Sequence, residues 1–143
     1  MQLTTHTDYA LRALIFLTVR RDEHPATVQE IANAYRISNN HVAKVAQTLV
    51  QLGYVQSLRG RGGGLVMAKA ANQVNLGELV RQTENLKLLD CFGPDSSCPI
   101  DPACKLKQAL GQAQTAFLQT LDQYTLADLT GNTDELRILL RQA

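Results

Sequence analysis

Two capped helices a short turn apart, a glycine-rich hairpin directly after them, and a long 3,4-spaced apolar repeat near the C-terminus set the fold class. Together they predict a mainly α chain: a winged helix-turn-helix DNA-binding domain with a two-stranded wing and a long C-terminal dimerisation helix. At 143 residues and 45% hydrophobic composition, the chain suits one compact domain or a small domain with a helical extension. The expected organisation is a DNA-binding domain over 1–85, a cysteine-bearing loop over 86–104, and the dimerisation helix with C-terminal helices over 105–143.

From Thr4 to Arg21, the residues Leu11, Leu14, Ile15, Thr18 and Val19 recur at helical spacing and predict a first helix. Asp8 and Arg12 stand four apart on it as an ion pair, worth a few tenths of a kcal/mol at about 0.3–0.5. Thr27-Val28-Gln29-Glu30 is a capping box, with Val28, Ile31 and Ala32 as the buried side of a short second helix. After Tyr35-Arg36-Ile37, Ser38 caps a third helix that runs to Leu52, where Gly53 takes the left-handed C-terminal position. Val42, Val45, Ala46, Leu49 and Val50 form its core stripe. Ser38, Asn39, Asn40, His41, Lys44 and Gln47 then lie at its start and along its other face. Asn and Gln amides pair with adenine edges in a major groove, Lys and His reach guanine or phosphate, and a helix N-terminus favours an anionic oxygen.

Tyr54–Leu58 and Leu65–Ala68 read as strands joined by Arg59-Gly60-Arg61-Gly62-Gly63-Gly64, a wing. Arg59 and Arg61 on such a tip suit a narrow, electronegative minor groove, and the glycines let backbone approach phosphate. A nucleotide-binding loop is the competing reading of these glycines, but the segment lacks Gly-Lys-Ser/Thr and no helix opens after it. A helix-turn-helix used only for packing is the other.

Fourteen Lys plus Arg against thirteen Asp plus Glu give a net charge of +1, which by itself points to no polyanionic partner. The distribution differs from the average. Up to Ala70, eight bases less four acids give +4; after it, six less nine give −3. No acid occurs between Glu30 and Glu78, an interval holding Arg36, His41, Lys44, Arg59, Arg61 and Lys69. An anionic partner such as double-stranded DNA could dock there, and an ordinary solvated basic face is the competing reading of the charge alone. The longest apolar run, Ala13–Val19, stops at Arg20, well short of the roughly 18 to 20 residues of a membrane span. Met1 leads into a patterned segment without the features of a secretory signal, so the expectation is a cytoplasmic protein with no membrane partner.

Cys91, Cys98 and Cys104 form Cys-x6-Cys-x5-Cys. The residues between them are rich in Gly, Pro, Ser and Asp, a loop able to wrap an object. Three thiolates in one segment suit a soft metal or an iron-sulfur cluster, with one ligand still to be found. Zinc in a Cys3His site is an alternative, although the short knuckle spacing of structural zinc is absent. One disulfide plus a free thiol, or three reduced thiols, is another. Beyond Cys104, Leu106, Leu110, Ala113, Phe117, Leu121 and Tyr124 make a single seam on a long amphipathic helix. Such a seam serves homodimer pairing or packing on the chain's own first helix. Thr125–Thr130 and Asp134–Leu140 predict two short helical pieces that fold back. No nucleophile-base-orienter grouping is present in the pattern, so no catalytic residues are assigned and an enzyme is not expected.

With these residues in place, the chain resembles the winged-helix iron-sulfur repressors, a family with an NsrR-like nitric-oxide-sensing branch and an IscR-like branch regulating cluster assembly. The resemblance spans essentially the whole chain. It rests on Met1-Gln2-Leu3-Thr4 with Thr7-Asp8-Tyr9-Ala10-Leu11-Arg12, on the wing Arg59–Gly64, and on the three cysteines. Pro102–Leu110 and Tyr124–Leu129 add to it.

The resemblance implies a homodimeric repressor that binds an inverted-repeat operator and carries an iron-sulfur cluster, 4Fe-4S in the first place and 2Fe-2S as the alternative. It implies Cys91, Cys98 and Cys104 as ligands. Where the IscR-like branch has a histidine three residues after the last cysteine, this sequence has Lys107, which is no ordinary cluster ligand. The NsrR-like branch completes its cluster with an aspartate from the first helix of the partner subunit, and Asp8 stands at that position. His6, His24 and His41 are alternative ligands, of which only His6 is near Asp8. Nitric oxide is then the signal, acting at a cluster whose loss releases operator DNA. A regulator of the same family responding to iron or cluster supply is the first rival; a small iron-sulfur redox or electron-transfer protein is the second, and the acid-free basic half argues against it.

Overall fold

Thr4 accepts the Thr7 amide at 3.3 Å and so starts α1 (Thr5–Val19). In this computed structural model, which describes residues 1–141, α1 is the central element. It packs against α2 (Val28–Tyr35), α3 (Asn39–Gln51), α4 (Leu76–Thr83), α6 (Leu126–Leu129) and α7 (Thr133–Leu139). Thr27 opens α2 with both halves of the capping box formed: its hydroxyl accepts the Glu30 amide at 3.1 Å, and Glu30 accepts the Thr27 amide at 2.7 Å. The turn to α3 passes through Arg36 in the left-handed region at φ 56, and the Ile37 amide returns to the Ala32 carbonyl at 2.9 Å. Ser38 then caps α3, as its position before the helix predicts.

Val42, Val45, Ala46 and Leu49 of α3 are buried against α1. Val50, expected in the same stripe, is 38% exposed, because one step along a helix rotates a side chain by about 100° away from Leu49. β1 (Val55–Leu58) pairs antiparallel with β2 (Gly64–Met67), with Val55 opposite Met67 and Leu58 opposite Gly64. The other edge of β2 exchanges two bonds with Ala26, 2.9 and 2.7 Å, so a single residue acts as a third strand.

Beyond the wing, α4 begins at Asn75, whose side chain accepts the Glu78 amide at 3.0 Å. α5 (Lys105–Leu121) lies against α4, and the chain returns to the body through the Leu76 and Leu126 amides, which bond the Tyr124 and Val74 carbonyls at 3.0 and 2.9 Å. Arg81 grips Asp122 with both guanidinium arms, one at 2.8 Å. A Cβ on Gly77 would stand 1.9 Å from the Asp122 carboxylate, so this close approach of α4 to the end of α5 requires glycine.

Leu14, Ile31, Leu49, Leu79 and Leu126, from five helices, are fully buried in one core. Each such burial contributes about 1.5–3 kcal/mol. The predicted seam is only partly covered: Leu110, Phe117 and Leu121 are half-buried, while Leu106 is 61% exposed and Tyr124, just past α5, 46%; Leu118, outside that seam, is buried. The two short pieces expected near the C-terminus are α6 and α7, and α7 is tied back by Arg137, which donates to the Val19 carbonyl. Among the described residues no helix is long and apolar enough to cross a membrane.

Candidate nucleic-acid interface and cysteine loop

The start of α3 and the wing tip present one kind of surface. Ser38, Asn39, Asn40, His41, Lys44 and Gln47 are all exposed, as are Arg59 and Arg61. Ser38 is committed to its cap, with the His41 amide 3.5 Å from its hydroxyl oxygen. Asn39 donates to Gln29 of α2 at 2.6 Å, and Gln29 donates to Asn33 at 2.6 Å, so the amide side chains of the two helices form one line. His41 sits beside the Tyr9 ring of α1, with centroids 5.9 Å apart. Asn40 and Lys44 complete the exposed polar set on the face opposite the core stripe.

The wing turn closes with the Gly63 amide on the Gly60 carbonyl at 3.0 Å, and Gly60 occupies φ 94, where a side chain would be strained. Arg59 and Arg61 flank it, free of any carboxylate partner among the described residues. The face therefore offers donors and unpaired positive charge at Arg59 and Arg61, the chemistry that a phosphate backbone and groove edges require.

Asp8 stands in the first turn of α1, next to Tyr9. Arg12 holds both of its oxygens, at 3.0 and 2.9 Å, and extends over the rings of Tyr9 and Tyr35 at 5.8 and 5.7 Å. Burial pushes the Tyr35 phenol up to about 12, with the Arg12 charge opposing the shift. His6 lines a recess of about 310 Å³ with Tyr9, His41 and Lys44; His24 donates its amide to Asp22 at 2.9 Å.

The three cysteines are free thiols: Cys91 half-buried in a helical turn, Cys98 exposed, and Cys104 half-buried as the cap of α5. The Cys104 sulfur accepts the Lys107 amide at 3.3 Å. Lys107 binds Asp101 at 2.6 Å, which holds its ammonium above the ordinary lysine value, and the charges of Cys91 and Cys104 add to that shift. In turn Lys107 holds the Asp101 carboxyl below the usual range. Among the described residues no three His, Cys, Asp or Glu side chains converge as a metal-holding group. Within one chain the cysteines and Asp8 thus remain separate features. The donor set nevertheless fits an iron-sulfur group: three reduced thiols on one segment, one at a helix N-terminus, and a fixed cation beside two of them, all of which favour bound negative charge.

Sequence reasoning missed α4, although Asn75-Leu76-Gly77-Glu78 with Leu79 and Val80 carries a cap and helical spacing. It also treated Arg20 only as the end of an apolar run, whereas its side chain is 9% exposed, against Phe16, Asp22 and Glu30.

A family model described as Rrf2, iron-dependent transcriptional regulator, matches residues 3–132. The chain is 46% identical to the HTH-type transcriptional regulator NsrR of Shouchella clausii, over 99% of this chain and 96% of that one. It is 45% identical to the protein of the same name from Halalkalibacterium halodurans, over 99% and 98%. The solved structure of T. potens IscR superposes with a TM-score of 0.75 at 22% identity, over 94% of this chain and 90% of that one, which shows the shared fold. The winged helix, its uncontested basic face and this full-length similarity have one conclusion: the chain belongs to the Rrf2 family and is a helix-turn-helix transcriptional regulator.

Proposed function

We propose that the protein is a homodimeric, cytoplasmic repressor that binds an inverted-repeat operator and senses nitric oxide through an iron-sulfur cluster. Cys91, Cys98 and Cys104 of one chain and Asp8 of the partner subunit would hold that cluster, 4Fe-4S ahead of 2Fe-2S. The observation that carries the reading is the pairing of full-length similarity to NsrR proteins with three free thiols on one segment, two of which, Cys91 and Cys104, act on the charge of Lys107. When bound, such a cluster supplies iron that reacts with nitric oxide, most readily where a carboxylate replaces a thiolate.

The chain's own residues supply the rest. Asp8 adjoins Tyr9, whose ring meets His41 of the recognition helix, so a tie made through Asp8 bears directly on α3. Asn40 and Lys44 read groove edges; Arg59 and Arg61 hold the backbone beside them. The partly exposed seam of α5 and the turn after it, with Leu106 and Tyr124 exposed, gives the second copy an apolar face to pair with. A shift of α3 against its partner's α3 changes the spacing between half-sites and weakens operator binding.

The family's description as iron-dependent favours a second reading, in which iron supply rather than nitric oxide is the signal. Lys107, at the position where the resemblance places the histidine of the supply-sensing branch, argues for the first. Iron and acid-labile sulfide per chain, measured after anaerobic reconstitution, test the ligand set. Both are expected in the wild type and lost in each of Cys91→Ser, Cys98→Ser and Cys104→Ser. Retention of iron by all three variants would overturn the assignment.

A further inference from the structure

A second site lies at the far end of α1. Twelve residues beyond Asp8, and so about 18 Å along the helix axis, Arg20 lines a cleft of about 930 Å³ between α1, α2 and the C-terminal segment. Its volume falls within the range of about 300–1,000 Å³ typical of small-molecule sites. Its lining combines apolar groups, Phe16, Ala34, Tyr35 and Leu140, with four arginines, Arg20, Arg21, Arg36 and Arg141, and two carboxylates, Asp22 and Glu30.

Arg20 is the least exposed of these charged residues. Its side chain is more than nine-tenths buried and lies over the Phe16 ring at 5.8 Å. Nε donates to the Asp22 carbonyl at 3.2 Å, and Nη2 stands 3.3 Å from Asp22 and 3.5 Å from Glu30. Nη1 is buried without a hydrogen-bond partner. A guanidinium has five donors in a fixed fork, and a buried one left unsatisfied is costly, so an acceptor reaching that nitrogen would remove the cost. Arg36 and Arg141, on opposite sides, are the two non-glycine residues with positive φ among the described residues, at 56 and 55. Neither has a carboxylate partner there.

We propose that this cleft binds a small organic anion, its carboxylate or phosphate head on Arg20 Nη1 and its apolar body against Phe16, Tyr35 and Leu140. The place is suited to a regulatory input. Asn33 on the cleft wall accepts from Gln29, and Gln29 accepts from Asn39 of α3, so an occupant touches a line of side chains that ends on the recognition helix.

The test is a fluorescence titration of the full chain with anilinonaphthalene sulfonate, an anion with an aromatic body, followed by competition with benzoate, phenyl phosphate and inorganic phosphate. The expected result is one saturable site per chain from which benzoate or phenyl phosphate, whichever head the site prefers, displaces the probe, with inorganic phosphate far weaker. Arg20→Gln should weaken binding about tenfold or more, the loss of one charge-assisted hydrogen bond. Because Arg20→Gln removes buried interactions, Ala34→Trp, which fills the cleft, and Arg36→Glu serve as folded counterparts and should weaken binding too. Gln56→Glu, on the exposed face of β1, should leave it unchanged. Absence of saturable binding, displacement by inorganic phosphate as effective as by the organic anions, or wild-type affinity in both Ala34→Trp and Arg36→Glu would overturn the proposal.

Discussion

Both oxygens of Asp8 are held by Arg12, Oδ1 at 3.0 Å from Nε and Oδ2 at 2.9 Å from Nη2. In a single chain this is a partly exposed i,i+4 pair, worth about 0.3–0.5 kcal/mol. Asp8→Ala should therefore lower the thermal midpoint of the iron-free protein very little. In the proposed dimer the same substitution removes a cluster ligand, and iron retained after anaerobic reconstitution should fall well below wild type. Thermal unfolding and iron analysis on one preparation separate the two roles. Unchanged iron content would leave Asp8 as a surface ion pair.

The wing and recognition helix should fail in different ways. Arg59→Ala and Arg61→Ala each remove a phosphate contact, so affinity falls for every DNA sequence and the salt slope of binding drops by about 1 per substitution. Asn40→Ala and Lys44→Ala should instead cost about 1–3 kcal/mol on the operator alone and relax its discrimination from other sequences. Fluorescence anisotropy with operator and unrelated duplexes, at several salt concentrations, checks both. Uniform losses from all four variants would contradict the division.

Lys107 places a cation beside Cys91 and Cys104 while Asp101 fixes its position at 2.6 Å. Reversing that charge with Lys107→Glu should reduce iron retention strongly, since thiolate ligands and their cluster carry negative charge. Lys105→Glu, on the exposed first turn of the same helix, should have little effect. Equal losses in the two variants would assign the effect to helix electrostatics in general.

Arg81 holds the Asp122 carboxyl below the ordinary aspartate range. A carboxyl with a lowered folded value adds stability above its unfolded value, near 3.9, and that contribution disappears as pH falls through the folded value. Stability should thus decline with acidification below about pH 4. Asp22, Asp101 and Asp128 are lowered as well and steepen the same slope. In Gly77→Ala the new methyl group displaces the Asp122 carboxylate from Arg81. Alanine also raises helix propensity by about 1 kcal/mol, so the informative readout is the slope of stability between pH 3 and 5, which should be shallower than in the wild type.

What the sequence made legible was local. The caps at Thr27 and Ser38 are short-range hydrogen bonds written in three or four consecutive residues, and both form as read. The wing followed from its glycines, and the exposed set from Asn39 to Lys44 from helical spacing. Features that depend on distant neighbours were hidden. Ala26 bridges β2 through one residue, too short for any period to reveal. Leu118 is buried on a helix that packs against α4, although it lies outside the apolar seam, whose ends Leu106 and Tyr124 are exposed. Arg20 looks like the polar end of a helix until Phe16 and Glu30 close around it. The Asp8–Arg12 pair was readable from its spacing; a role for Asp8 across a dimer rests on the family resemblance, since among the described residues of one chain no metal-holding group forms.

The most direct test of the account follows visible absorption and operator binding together while anaerobically reconstituted protein is titrated with nitric oxide. The proposed sensor predicts that a thiolate-to-iron band is bleached over the same range of nitric oxide in which the operator is released. A protein that remains colourless after reconstitution, or one whose band is bleached with no change in operator affinity, would contradict it.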